Sequence, residues 1–362
     1  MTADTVGGVW TYALETAGAL AAHGVDVSLA TMGGAMTAAQ RRAVAASAVV
    51  EVYESTFALE WMDEPWIDVE RAGEWLLDLA RQSRPDVVHL DGYVHAALPW
   101  PAPTVVVAHS CVLSWWQAVH GTPAPAVWDR YRQRARAGLA AADAVVAPTA
   151  AMLAAVREWY GVAGGTVVPN CRSSDWVVPR PKERLVLGAG RVWDEAKNLA
   201  LLDAVAGRLP WEVVIAGERR HPGTGAEDGP AGPASTPSAR LLGQVSFDEL
   251  APWLLRASVF VAPARYEPFG LGVLEAGLAG CALVLGDIPS LREVWADAAL
   301  YIDPDDAEGL EAVLTELTGD PRLVDDLGRR ARARARTFTP ERTARGYLDV
   351  YRHLPVAAGG AW

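Results

Sequence analysis

Short apolar runs of four to six residues recur along the chain. Between them lie longer stretches in which apolar residues return every three or four positions. In the first half the short runs predict strands at Val25–Ala30, Asp86–His89, Thr104–Ala108 and Ala144–Ala147, with a further short one at Val167–Pro169. The longer stretches predict helices at Trp10–His23, Val69–Ser83, Ala126–Ala141 and Ala150–Tyr160. Proline, serine and charge then cluster in Asn170–Glu183, which reads as a linker. The alternation restarts with strands at Leu185–Ala189, Trp211–Ala216, Ala239–Leu242 and Val259–Ala262, and helices at Leu199–Ala206 and Phe247–Leu255. Two more strand–helix units follow around Ala282–Leu285 and Ala299–Ile302. Two helices close the chain, an arginine-rich one at Pro321–Arg336 and another at Pro340–Arg352. Pro222–Pro237 is rich in Gly, Pro, Ala and Ser and reads as a flexible surface insertion.

Strands alternating with helices predict an α/β fold built on parallel sheets. The expected layout is two Rossmann-like, doubly wound domains, residues 1–172 and 173–338, with a C-terminal helix in 339–362 crossing back to the first domain. Ligands of such sheets bind at the carboxyl ends of the strands, which places the expected site in a cleft between the two halves. Gly7-Gly8 precedes the first helix, where a glycine turn follows strand one, yet only MTADT precedes it. That stretch is short and polar for a central parallel strand. The expectation is a start upstream of Met1, with a stub first strand as the alternative.

Composition narrows the classes. The chain has 362 residues, half of them apolar, and a net charge of −12, which argues against nucleic acid as the main partner. No apolar run long enough for a membrane span appears, and the N-terminus lacks the pattern of a secretion signal. Cys111, Cys171 and Cys281 are widely spaced and read as buried thiols of a cytoplasmic protein. Lysine is rare: Lys182 and Lys197 stand against thirty arginines.

The most informative stretch is Glu267-Pro268-Phe269-Gly270-Leu271-Gly272-Val273-Leu274-Glu275. A strand, a glycine turn and a helix in that order aim backbone N–H groups and the positive end of a helix dipole at one point, which suits a phosphate. Glu267 and Glu275 flank that point and can accept hydrogen bonds from hydroxyls. Phosphates with hydroxyls on both sides describe a nucleotide sugar. Leu274, Ala276 and Leu278 make the helix apolar, so an unpaired Glu275 would be costly and a ligand hydroxyl would satisfy it. Gly188-Ala189-Gly190-Arg191 ends a strand and Asp194-Glu195-Ala196-Lys197-Asn198 opens a helix, so Arg191 and Lys197 can sit at the same mouth. A chain that uses arginine almost everywhere places one of its two lysines here, and the two cations are not interchangeable at a phosphate.

In this order these residues resemble the retaining glycosyltransferases of family 4, which have the GT-B fold. The matching features are Glu267…Glu275, Gly190-Arg191 with Lys197-Asn198, Leu242-Gly243-Gln244-Val245, and the early Gly7-Gly8. The resemblance implies that Arg191 and Lys197 bind the donor diphosphate and that Glu275 binds the ribose hydroxyls. It implies that Glu267, with the backbone of Phe269, Gly270 and Leu271, holds the donor sugar and distal phosphate. The backbone near Gln244 and Val245 would meet the nucleobase, and Gly7 and Gly8 would admit the donor phosphates or the acceptor. His109, at the end of the strand Thr104–Ala108, would reach the donor sugar. No cofactor and no metal are implied, the nucleoside-diphosphate sugar being the substrate. The acceptor is left open between a saccharide, a lipid-linked molecule and a small natural product.

Other residues are given smaller roles. His89-Leu90-Asp91-Gly92 is expected to shape a loop. Asp303-Pro304-Asp305-Asp306 mimics a metal-binding D-x-D but is expected to cap the helix that follows. Trp10, Trp115 and Trp116 could stack on an acceptor or simply pack. Gly286-Asp287-Ile288-Pro289-Ser290 and Cys281-Ala282 depart from the family's turns beside the donor site, which bears on sugar selection. Two rival readings are a nucleotide-sugar 2-epimerase, drawing on Asp91 and Asp129, and a catalytically silent sugar-nucleotide binder.

Overall fold

The computed structural model describes residues 1–219 and 238–355. The insertion expected at Pro222–Pro237 lies outside the described residues. In chain order the elements are β1 (Thr2–Asp4), α1 (Gly8–Ala21), β2 (Val27–Met32), α2 (Ala38–Ala45), β3 (Val49–Glu54), α3 (Trp66–Ser83), β4 (Val88–Leu90) and β5 (Thr104–Val107). They continue with α4 (Val112–His120), α5 (Asp129–Ala141), β6 (Ala144–Ala147), α6 (Ala150–Tyr160), β7 (Thr166–Val167) and β8 (Glu183–Ala189). Then come α7 (Leu199–Ala206), β9 (Glu212–Ala216), β10 (Arg240–Gly243), α8 (Phe247–Arg256), β11 (Ala257–Ala262), α9 (Leu271–Ala279) and β12 (Ala282–Gly286). The chain closes with α10 (Pro289–Trp295), β13 (Leu300–Ile302), α11 (Ala307–Gly319), α12 (Pro321–Ala335) and α13 (Pro340–Arg352). Residues 1–117, 121–171 and the segment from Thr339 onward form one compact unit, and residues 118–120 and 172–338 form the other.

In the first unit the strands pair in two parallel ladders, β1-β2-β3 and β4-β5-β6-β7. The backbone N–H of Asp91, just after β4, donates to Thr2 Oγ1 of β1 at 2.8 Å. β5 reads Thr-Val-Val-Val and is buried along its whole length, as a strand covered on both faces requires. α3 buries Val69, Ala72, Gly73, Leu76 and Ala80, a stripe at helical spacing, while its charged residues lie on the other side. α13 belongs to this unit and packs on α1, with Tyr12 donating to Tyr347 at 2.5 Å. The helix expected over Ala126–Ala141 is broken: Ala126–Trp128 is a short 3₁₀ turn and the α-helix opens at Asp129.

The second unit carries one six-stranded parallel sheet in the order β10-β9-β8-β11-β12-β13. Residues alternate between its faces. Leu185, Leu187, Phe260, Leu283 and Leu285 pack with Leu274, Trp295 and Ala331 of α9, α10 and α12. Val186, Val259, Val261 and Val284 pack on the opposite face with Leu202, Leu310 and Leu314 of α7 and α11. The chain winds outward from β8 to β10, then returns beside β8 as β11 and winds the other way. The order therefore reverses between β8 and β11, the place where a doubly wound sheet opens a crevice at its carboxyl edge.

Among the described residues no helix is long and apolar enough to cross a membrane.

Candidate active site

The crevice between β8 and β11 is lined by the two loops that leave those strands. After β8 the chain passes Gly190 and Arg191 into a tight turn. The helix opens at Leu199, as expected, and Asp194 folds the residues before it back into a turn. The Asp194 backbone carbonyl accepts from the Lys197 N–H at 2.9 Å, and its side chain accepts from the Ala196 N–H at 3.1 Å. Asn198 ends the turn in the left-handed region, at φ 53°, which asparagine tolerates better than most residues. Its side-chain amide donates to the carbonyls of Pro263 (2.9 Å) and Pro304 (2.7 Å), tying the loop to the end of β11. A glycine at 217 makes the approach possible, since a Cβ there would sit 1.6 Å from the Gly190 carbonyl oxygen.

The charges in this crevice are paired. The Arg191 Nη2 donates to Asp194 Oδ2 at 2.6 Å, and the Asp194 side chain is 3% exposed. Lys197 Nζ donates to Glu267 Oε2 at 2.5 Å. An ammonium has three N–H donors, so this contact orients Lys197 while leaving donors for a second anion. Glu267 is fixed in turn by its backbone, whose carbonyl accepts from Ser290 Oγ at 2.5 Å. Two residues on, Phe269 is buried against Phe338 with ring centroids 5.5 Å apart, so only its backbone is available to a ligand.

α9 begins at Gly270, which sits in the left-handed region at φ 88°. Among the described residues no side chain caps this end. The first-turn N–H groups therefore lack helical partners and present a fractional positive charge, the arrangement that binds phosphate. Every α9 residue from Val273 to Ala279 is buried, and Glu275 is the one charged residue of the helix. Glu275 has a protein partner before any ligand arrives: Arg172 Nε donates to Glu275 Oε1 at 2.9 Å. Arg172 stacks with its Cζ 4.1 Å from the Phe247 ring centroid, and Trp176 packs edge-on to the same ring. Arg172 lies in the linker, where no periodicity marked it. Gln244 and Val245 follow β10 at the same carboxyl edge, Gln244 exposed and Val245 half-buried.

In the first unit Gly7 and Gly8 are exposed at the N-terminus of α1, with Gly7 at φ 79°. His109 lies two residues past β5, and its Nε2 stands 2.9 Å from Asp91 Oδ1 with both side chains buried. Asp91, expected to shape a loop, is thus the histidine's partner. Its Oδ2 is buried with no hydrogen-bond partner among the described residues. Burial raises the Asp91 carboxyl above its usual range, although the hydrogen bond from His109 opposes the effect. His89 belongs to a buried tyrosine cluster, with Nδ1 2.8 Å from Tyr351 Oη and Nε2 2.9 Å from Tyr12 Oη. Burial, reinforced by neighbouring positive groups including His109, holds the His89 ring well below its ordinary pKa.

Three remaining expectations resolve simply. Trp10 is 8% exposed and packs in the core, which removes it as an acceptor platform. Trp115 and Trp116 are half-buried and meet edge to face. Asp306 caps α11, accepting from the Gly309 N–H at 2.8 Å, and Asp305 pairs with Arg265 at 2.6 Å. Asp129 opens α5 and pairs with Arg132.

Comparison with known proteins covers both units. Residues 6–175 match the family model described as Glycosyltransferase Family 4, and residues 183–320 match Glycosyl transferases group 1. Among curated proteins the chain is 33% identical over 115 residues to O-antigen chain mannosyltransferase B of Escherichia coli. It is 35% identical over 120 residues to alpha-maltose-1-phosphate synthase of Mycobacterium tuberculosis. These alignments span about a third of the chain, 32% and 31%, and 30% and 31% of the relatives' own lengths. Among solved structures, sucrose-phosphate synthase from Thermosynechococcus elongatus superposes with a TM-score of 0.76 at 18% identity, covering 96% of this chain and 93% of that one. Anabaena HepE, solved with UDP-glucose, gives 0.72 at 12% identity, covering 96% and 97%.

Proposed function

Since the chain belongs to the group 1 glycosyltransferases and has the GT-B fold, we propose that it moves a hexose-type sugar from a nucleoside diphosphate to an acceptor hydroxyl with retention of configuration. The observation that carries this reading is the Lys197–Glu267 pair, set beside the uncapped N-terminus of α9 at the reversal point of the sheet. Cation, carboxylate and backbone amides at one point suit a leaving diphosphate joined to a hydroxylated sugar.

In this reading the diphosphate lies against the first turn of α9 and takes hydrogen bonds from Lys197 and Arg191. Glu267 fixes the ammonium and accepts from sugar hydroxyls. Glu275, already held by Arg172, accepts from the ribose hydroxyls with its remaining lone pairs. Arg191 and Lys197 supply the positive charge that a divalent ion supplies elsewhere, so the reaction proceeds without an added metal. The glycosidic C1–O bond to the β-phosphate breaks as the acceptor oxygen bonds to C1 from the same face. The acceptor proton passes to the departing phosphate oxygen, which balances charge without a protein nucleophile. HepE was solved with UDP-glucose, which makes a UDP-sugar the first donor to test.

The test is transfer from UDP-, GDP- and ADP-sugars in the presence of EDTA, with the product's anomeric configuration read by proton NMR. Retention without divalent ions is expected. An inverted product, or turnover that appears only on adding metal, would contradict the reading.

A further inference from the structure

The second unit contains a cavity of about 420 Å³ lined by Arg180, Lys182, Arg329, Arg332, Arg336 and Asp325, among others. It adjoins Gly280, the residue that ends α9, whereas the candidate donor phosphate site is at the Gly270 end of the same helix. Five cations and one carboxylate face a volume within the range of small-molecule sites. The chain has two lysines: one, Lys197, stands at the candidate donor site and the other lines this cavity.

The cations are not accounted for by local pairing. Arg329 has a partner in Asp326 at 2.9 Å, and Lys182 Nζ donates to the Leu254 carbonyl at 3.1 Å and to Cys281 Sγ at 3.6 Å. Arg180 and Arg336 are exposed, and their guanidinium groups have no hydrogen-bond or ion-pair partner among the described residues. Arg332 is the telling case. Its Nη2 donates to the Ala279 carbonyl at 2.8 Å, but its Nε is buried and has no partner among the described residues. A buried guanidinium N–H without an acceptor calls for an anion or a water. The packing around Arg332 is built for it. A Cβ on Gly280 would lie 2.6 Å from its Nη2, and a Cβ on Gly328 would lie 2.6 Å from the Gly280 carbonyl oxygen. The helix dipole at the end of α12 offers about half a negative charge, too little to balance five cations. Burial, the main cause, lowers the pKa of Lys182 against the opposing effect of Cys281, with Arg332 lowering it further, so a nearby anion would stabilise its charged form.

The lining also identifies the ligand's class. It holds no aromatic ring and no apolar side chain larger than proline, so nothing there would hold a nucleobase or an acyl chain. Asp325 is exposed and can accept from hydroxyls. We propose that this cavity is a second anion site, distinct from the donor site, that takes the phosphate of a small hydroxyl-bearing phosphate ester such as a sugar phosphate.

Calorimetric titration tests this with inorganic phosphate and glucose 6-phosphate as probes and glucose as the uncharged control. The proteins are the unaltered chain, Lys197→Ala, and the double variant Arg180→Ala/Arg336→Ala, whose altered residues are exposed and should leave the fold intact. Arg329→Ala serves as a second variant of the same wall. Expected are phosphate-dependent binding retained in Lys197→Ala and weakening of about tenfold or more in the Arg180/Arg336 and Arg329 variants, since each charged contact is worth about that factor. Binding lost in Lys197→Ala yet kept in the arginine variants would assign it to the donor site and overturn the proposal. So would absence of binding to the unaltered chain at millimolar phosphate. Vesicles containing phosphatidylglycerol form a separate arm. Arginine-dependent sedimentation with vesicles, without binding of either soluble probe, would overturn the small-ligand assignment in favour of a lipid headgroup.

Discussion

Lys197 and Glu267, seventy residues apart in sequence, meet at 2.5 Å across the crevice between β8 and β11. Both side chains are about one-fifth exposed, so the pair is neither a solvent-screened surface contact nor a sealed core one. Its stability value is accordingly modest, of the order of 1 kcal/mol. In the proposed reaction, which expels a diphosphate, its value is larger, because an ammonium held in place needs no reorganisation when charge develops. Lys197→Ala should lower kcat by about a hundred- to a thousandfold and lower Tm by only a few degrees. Lys197→Arg should recover the stability and little of the rate, since a planar guanidinium cannot reproduce a point charge beside Glu267. Steady-state kinetics alongside thermal melts check this.

The Arg172–Glu275 pair behaves differently because it is buried, with side chains 13% and 9% exposed. Arg172→Ala leaves a carboxylate inside an apolar helix and should cost about 3–5 kcal/mol. Glu275→Gln keeps the shape and one acceptor, so it should cost less while weakening nucleotide affinity. Urea unfolding curves and nucleotide titrations on the two variants separate structural from binding loss.

Ser290 holds the backbone carbonyl of Glu267 at 2.5 Å from the start of α10. Ser290→Ala removes that donor and should cost about 1 kcal/mol. If the contact sets where Glu267 stands, kcat should fall with it, and Ser290→Thr should restore part of the rate by keeping the hydroxyl. Parallel kinetics on both variants test the point.

His89 gives a pH dependence with a definite sign. A neutral ring that donates from Nε2 to Tyr12 and accepts at Nδ1 from Tyr351 satisfies the cluster while Tyr12 donates to Tyr347. Burial lowers its folded pKa below the unfolded value near 6.5. The unfolded chain therefore binds the proton first, and stability falls as pH drops below about 6.5. The slope can reach about 1.4 kcal/mol per pH unit. Asp91, 3.7 Å from His89 Nε2, has a raised pKa and acts oppositely, gaining stability at lower pH. The difference between the unaltered chain and His89→Gln isolates the histidine. Melts from pH 7 to pH 5 should show the steeper loss in the unaltered chain.

Much of the second unit was legible because its strands are continuous apolar runs and its candidate phosphate site is a local motif. Gly270, the apolar α9 and the two glutamates are neighbours in sequence, and local geometry follows from local residues. The first unit was less legible. α2 buries no residue, so it has no apolar stripe to read. β3, Val-Val-Glu-Val-Tyr-Glu, is an edge strand with no fully buried position. Side-chain partners were the least legible. Arg172 reaches Glu275 across 103 positions and Asp91 reaches His109 across 18, and no spacing rule encodes either contact. The paired state of Arg191 and Lys197 was hidden for the same reason, since Asp194 and Glu267 were visible as acids but not as their partners.

The crevice at Lys197, Glu267 and the start of α9 is expected to bind a nucleoside diphosphate. Thermal unfolding with UDP, GDP and ADP, each at saturating concentration, measures it most directly. A ligand present at one hundred times its dissociation constant should add about 2.7 kcal/mol to the unfolding free energy. That gain is expected from at least one nucleotide, and Lys197→Ala should abolish most of it. No stabilisation by any of the three, or the same gain in the variant, would contradict it.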